Sequence, residues 1–214
     1  MNFPYSQKEL DYLAARDPLL GCVIRSVGFI ERTVEEDVFS AVVHHIIGQQ
    51  ISMGAQETVW RRLQELLGEV TPDTLADADS EAVKGCGMTY RKADYIRDFA
   101  QKVRSGEFHV EALREMEDGE AVKALSALRG VGEWTAEMLL LFCLRRSDVL
   151  SYGDLGIRRG MMKLYGWEEM TKAQFEECRQ RYSPYGSVAS FYLWAVNGGV
   201  LSEEKLTKLW EEVT

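Results

Sequence analysis

Apolar residues recur along this chain at three- and four-residue intervals. Val38, Val42 and Ile46 mark one such stripe; Val59, Leu63, Leu66 and Leu67 mark another. That period lines one face of an α-helix, whereas a half-buried strand alternates every second residue, and no convincing alternation occurs. The pattern predicts helices near 6–15, 18–28, 35–49, 53–67, 80–85, 90–104, 119–129, 133–145, 155–165, 172–181, 186–197 and 203–213. Ser6 with Glu9, Thr33 with Glu36 and Thr171 with Gln174 have the spacing of capping boxes. Three of the four prolines, Pro4, Pro18 and Pro72, fit helix starts or loops. The segment from Glu133 to Arg145 is apolar on most sides, which predicts a helix buried in the middle of the molecule. The expected fold class is all-α.

At 214 residues the chain is long enough for one sizeable domain or two small lobes. A hydrophobic content of 46% argues against disorder. The longest apolar run, Met138 to Leu144, is far too short to span a bilayer, so no membrane partner is expected. No charged-then-apolar leader follows Met1, which points to the cytoplasm, or to the nucleus in a eukaryote. Cys22, Cys86, Cys143 and Cys178 are far apart and form no Cys-x-x-Cys unit, so they read as buried or free thiols in a reducing compartment. His44 and His45 are adjacent and point to different sides of a helix, so a zinc site is not expected. Nothing demands a dimer, and a monomer is expected.

Charge complicates the picture. The 25 basic and 34 acidic residues give a net charge of −9. Charged residues between 64 and 83 are all acidic, and 107–120 is strongly acidic. Basic residues cluster instead at Arg91, Lys92, Arg97, Lys102 and Arg104, and at Arg145, Arg146, Arg158, Arg159 and Lys163. This distribution predicts one basic face and a modest, salt-sensitive affinity for a polyanion.

Two segments carry candidate chemistry. The first is Leu128-Arg129-Gly130-Val131-Gly132-Glu133-Trp134-Thr135-Ala136. A Gly-apolar-Gly turn between helices leaves backbone N–H groups to hold a phosphate, although on its own it also reads as a plain interhelix turn. The second is Asp154, within Ser151-Tyr152-Gly153-Asp154-Leu155-Gly156-Ile157-Arg158-Arg159, about one helix and one loop downstream. Its carboxylate would act on a nucleotide that the turn positions; read alone, it is also a good N-cap for a helix beginning at Leu155.

With Ile46-Ile47-Gly48-Gln49-Gln50-Ile51-Ser52, Gly87-Met88-Thr89 followed by Arg91-Lys92-Ala93, and Pro184-Tyr185-Gly186-Ser187 leading to Trp194, these segments resemble the helix-hairpin-helix DNA glycosylases. The resemblance covers almost the whole chain. It is closest to the alkylpurine (3-methyladenine) glycosylases of the AlkA/Mag type in their short, all-helical form. It implies a central multi-helix lobe with the hairpin at 35–147, a composite lobe from 1–34 and 148–214, and an active cleft between them. It implies an enzyme that flips and excises 3-methyladenine and 7-methylguanine from double-stranded DNA containing damaged bases, initiating base excision repair. Asp154 takes the catalytic place, stabilising oxocarbenium character on the sugar and orienting water. Trp134 stands where strand-cutting relatives have a Schiff-base lysine, so monofunctional excision without lyase chemistry is expected.

The same resemblance places Trp134, Phe39 and Tyr152 at the base pocket. It places Gly130, Val131, Gly132, Thr135, Gln49, Gln50 and Arg158 at the DNA, with Gln49 and Gln50 where a side chain fills the gap left by the flipped base. Tyr182, Tyr185, Tyr192 and Trp194 are further candidates for the pocket wall, although most of them read as core. No cofactor is implied beyond a structural monovalent cation, Na or K, on the backbone of Leu128 and Val131. The iron–sulfur cluster of some relatives is excluded, since only Cys178 lies in the C-terminal region. Two departures bear on substrate range: Gly153 where a second aspartate precedes the catalytic one, and Gly186 where arginine is common. The alternatives are the same scaffold acting on deaminated or etheno purines, and a non-catalytic DNA-lesion binder.

Overall fold

The computed structural model describes residues 1–202 and 204–208. The helices are α1 (Gln7–Arg16), α2 (Pro18–Val27), α3 (Val38–Gly48), α4 (Met53–Leu67), α5 (Pro72–Asp77), α6 (Ser80–Gly85), α7 (Tyr90–Ser105), α8 (Asp118–Ser126), α9 (Glu133–Phe142), α10 (Leu155–Tyr165), α11 (Lys172–Tyr182) and α12 (Gly186–Asn197), with a 3-10 turn at Val110–Arg114. Among the described residues the only extended pairing is an isolated bridge between Asn2 and Thr33, and no helix is long and apolar enough to cross a membrane. The fold is all-α, and the chain divides into two compact units, 1–34 with 145–214, and 35–144.

The first unit packs α1 on α2 and α10 on α12. Gly160 permits the second crossing, because a Cβ there would lie 2.1 Å from the Leu193 carbonyl oxygen. Leu13, Leu20, Val23, Ile157, Met161, Phe191 and Tyr192 fill the core. Asp17, 1% exposed, is the polar node within it. Its carboxylate caps α2 through the Leu20 amide (2.9 Å) and accepts from the hydroxyls of Tyr165 and Tyr182 and from Arg181 Nη1 (3.0 Å). Burial pushes both tyrosine hydroxyls well above their ordinary range, so they stay protonated donors to that charge.

The second unit runs from α3 to α9. Its two ends are joined by the Glu35 amide donating to the Phe142 carbonyl at 2.9 Å. Val42, Ile46, Leu63, Leu75, Ile96, Phe99, Leu113 and Leu125 make its core. Lys102 pairs with Glu107 and Arg104 with Asp77, so part of the 91–104 basic cluster is neutralised locally.

Several boundaries depart from the pattern reading. The helix expected from 35 starts at Val38, because Thr33 pairs with Asn2 and Asp37 caps instead, accepting from the Ser40 amide at 2.8 Å. α9 ends at Phe142: the Leu144 amide turns back to the Leu139 carbonyl and Arg145 adopts φ +57°. α5 and the 3-10 turn lie in the two acidic stretches, where too few apolar residues fall to show a period. The helix expected at 203–213 falls mostly outside the described residues, of which 204–208 are helical. The four cysteines are free and buried.

Candidate active site

In the first unit Asp154 is the N-cap of α10 and is 7% exposed. Its Oδ1 accepts from the Ile157 amide at 2.8 Å and from the Trp194 indole N–H at 3.0 Å. The cap fixes the carboxylate's direction. Gly156 leaves room for the indole: a Cβ there would lie 2.9 Å from Trp194 Cδ1. Trp194, a pocket-wall candidate that the sequence reads more readily as core, is brought onto Asp154. It lies 40 residues from Asp154 on an apolar helix, so no local spacing shows that the two side chains meet. Tyr152 is 37% exposed, packs edge-on against Phe175 and lies 5.2 Å beneath the Arg158 guanidinium. Arg158 thus stacks on Tyr152 within its own unit.

Gly186 has a local cause. Its amide donates to Asp148 Oδ1 at 3.0 Å while the Ser183 hydroxyl donates to Oδ2 at 2.6 Å. A Cβ at 186 would lie 2.9 Å from Asp148 Oδ1, so the space an arginine stem needs is taken.

In the second unit the hairpin turns at Gly130, φ +85°. A Cβ there would fall 2.3 Å from Tyr95 Cδ2, so only glycine meets both the backbone and the packing requirement. The Val131 amide donates to the Leu128 carbonyl at 3.1 Å, closing the turn. This corrects the expected phosphate contact through Val131, whose N–H is committed within the protein and whose side chain is buried. Gly132 is the N-cap of α9 and has no side chain to make a capping bond, so the first-turn amides are not capped by a side chain there. Trp134, in the first turn, is 45% exposed and so is not a core tryptophan. Thr135 is 6% exposed, which corrects its expected hydroxyl contact: it lies on the inner face of α9. The Leu128 carbonyl takes one N–H and keeps a second lone pair, so the turn fits a monovalent cation held by backbone oxygens alone. Among the described residues no cluster of three His, Cys, Asp or Glu could hold a metal ion.

Phe39 is 3% exposed and stacks on Phe99 at 5.1 Å, which packs α3 on α7, and it lines a recess with Asp37, Trp60 and Gln64. Gln49 does not project as a wedge, because its Nε2 donates to the Gly130 carbonyl at 2.6 Å. Gln50 is the exposed residue of the pair, held at φ +58°. Lys92 donates to the carbonyls of Ile47 (2.8 Å) and Gln49 (2.6 Å), and burial lowers its pKa. Gln50, Ile51, Thr89, Arg91, Lys92 and Tyr95 line a recess of about 340 Å³ there.

Comparison with known proteins identifies the family. Residues 43–184 match the family described as HhH-GPD superfamily base excision DNA repair protein. The chain is 28% identical over 165 residues to DNA-3-methyladenine glycosylase 1 of Schizosaccharomyces pombe, covering 75% of this chain and 72% of that one. A DNA-3-methyladenine glycosidase from Bacillus halodurans superposes with a TM-score of 0.86 at 31% identity, covering 99% of both chains. A 3-methyladenine DNA glycosylase from S. pombe, in complex with abasic DNA, gives 0.79 at 26% identity over 92% of this chain and 98% of that one. With the hairpin, the carboxylate and the match over more than half its length, the chain belongs to the HhH-GPD superfamily of base excision DNA repair proteins.

Proposed function

We propose that this protein is a monofunctional DNA glycosylase that flips 3-methyladenine and 7-methylguanine out of double-stranded DNA and hydrolyses their N-glycosidic bonds. The observation that carries the reading is Asp154, a carboxylate held at the start of α10 by two N–H donors at 2.8 and 3.0 Å. Loss of the base leaves positive charge on the deoxyribose. A fixed carboxylate stabilises that charge and orients the water that quenches it, without reorganising during the reaction. The alkylated purines are already cationic in DNA, so they depart without a general acid. The exposed indole of Trp134 offers such a base a π face. An indole nitrogen forms no imine, so excision proceeds without strand cleavage.

Gly132 and the first turn of α9 supply backbone donors to a DNA phosphate. A monovalent cation on the carbonyls of Leu128 and Val131 would add positive charge at that phosphate. The relatives named DNA-3-methyladenine glycosylase support the same substrate class.

The test is release of bases from methylated genomic DNA by the purified protein, resolved by chromatography, with Asp154→Asn in parallel. Wild type should release 3-methyladenine and 7-methylguanine; Asp154→Asn should release neither and still bind an abasic duplex. Near-normal release by Asp154→Asn overturns the mechanism. Release only from hypoxanthine- or etheno-containing duplexes replaces the substrate class, and no release with tight abasic binding replaces the enzyme with a lesion binder.

A further inference from the structure

We infer that Lys92 is a positioning residue that locks the Gln50 loop to the hairpin, making the two DNA-facing elements of the second unit one rigid body. The inference rests on the proposed glycosylase reading, under which Gln50 fills the gap left by the flipped base. It starts from a cost. Lys92 lies in the first turn of α7, where a cation opposes the helix dipole, and burial lowers its pKa. A desolvated ammonium in that place needs compensation, and the compensation is specific. Its Nζ meets the carbonyls of Ile47 (2.8 Å) and Gln49 (2.6 Å) at the C-terminal end of α3, where a cation is favoured.

These bonds act on the loop between α3 and α4. Gln49 leaves the helix at φ −58°, ψ 127°, and Gln50 then takes φ +58°, which a side-chain-bearing residue rarely adopts. With two carbonyls just before it, those of Ile47 and Gln49, held by one ammonium, the backbone has less freedom to relax out of that conformation, and Gln50 stays exposed.

The lock extends to the hairpin by two routes. The side chain of Gln49 donates to the Gly130 carbonyl at 2.6 Å. Tyr95, one turn beyond Lys92 on α7, packs directly against Gly130, and Arg129 lies over its ring at 5.2 Å. Loop, hairpin and α7 therefore close a ring: Lys92 to Gln49, Gln49 to Gly130, Gly130 to Tyr95. Such a ring keeps the wedge and the phosphate grip at fixed spacing, so their ordering entropy is lost on folding rather than on each encounter with DNA.

Lys92→Met keeps the stem and removes the ammonium; Lys92→Arg keeps the charge. Base flipping is followed by the fluorescence of 2-aminopurine placed beside the lesion. Single-turnover excision is measured on a paired lesion and on a lesion in a bulge that is already unstacked. We expect Lys92→Met to lower the flipping amplitude and raise KM on the paired substrate about 10-fold or more, the loss of hydrogen bonds to a charged group. The rate on the bulged substrate should stay near that of wild type, and Lys92→Arg should restore most of the flipping.

Gln49→Ala removes the ring from its other side. It should give the same split, so the inference stays testable if Lys92→Met does not fold. Wild-type flipping and KM in either variant overturn the inference, as does an equal fall on both substrates, which is what general loss of structure produces. The flipping arm needs no excision. A wild type that flips but releases no alkylated base refutes the glycosylase reading alone.

Discussion

At Asp154 one oxygen serves two donors, and they can be separated by substitution. Trp194→Phe removes the indole N–H at 3.0 Å while keeping an aromatic ring against Gly156. A hydrogen bond to a charged group contributes about 1.5–3 kcal/mol. If it holds the carboxylate for the reaction, single-turnover excision falls about 10- to 100-fold, with abasic-duplex binding unchanged; a wild-type rate in Trp194→Phe would show that the Ile157 amide suffices. Gly130→Ala tests the hairpin. The added methyl meets both φ +85° and the Tyr95 ring, so abasic-duplex affinity should fall sharply in gel-shift titrations while far-ultraviolet circular dichroism stays helical.

Residue by residue, the legible features were those whose meaning is local: Asp154 as the cap of the helix it begins and Gly130 as a turn. Gln49 was misread because its partner is 81 residues away, and Val131 because a turn spends its own amide. Thr135 was misread because burial is a property of packing, which no spacing reveals.

Helices were legible wherever an apolar stripe repeats, and illegible where a short element is held by caps alone. α5 owes its start to a Thr71–Thr74 capping box and Pro72, not to a periodic face. The crossing of α10 and α12 depends on a contact that pattern cannot show, and it can be measured. Gly160→Ala places a methyl 2.1 Å from the Leu193 carbonyl oxygen, so the helices must separate. Overpacking of this kind costs about 1–3 kcal/mol, to be read as a lower urea midpoint at constant m-value.

α3 carries a second measurable feature, two adjacent histidines of opposite behaviour. The hydrogen bond from His44 to Glu35 at 3.2 Å, with Glu57 at 3.6 Å, raises the His44 pKa. Its contribution is complete below the ordinary histidine pKa of about 6.5 and is lost as pH rises through the higher folded value. Burial lowers the His45 pKa, so stability rises with pH from the folded value up to about 6.5 and is flat above it. His44→Gln should therefore abolish the loss above that pH and leave the acid-side loss from His45. Urea titrations across this range that show no change in profile would refute the assignment.

For the whole molecule, the net charge of −9 is distributed unevenly. The 35–144 unit has 11 basic and 20 acidic residues and so carries all of it; the other unit has 14 of each. The hairpin proposed to grip DNA thus sits in the acidic unit. Close contacts and distant field act on different lengths: the hairpin amides work at hydrogen-bond range, whereas the acidic stretches repel DNA only within a Debye length, about 8 Å at physiological salt. Glu69, Asp73 and Glu115 are exposed in those stretches and belong neither to the hairpin nor to the Gln50 loop. Replacing them with Gln, Asn and Gln should raise the association rate with a lesion duplex at low salt and steepen the fall of affinity with added salt, because less repulsion is then screened away. The single-turnover rate at saturating enzyme should not move, since no substituted group approaches the sugar. The gain in association rate should vanish near 1 M salt, where the screening length is about 3 Å. A gain that persists there would mean that the substitutions changed the structure rather than the field, and an unchanged rate at low salt would mean that the acidic stretches lie beyond the reach of bound DNA.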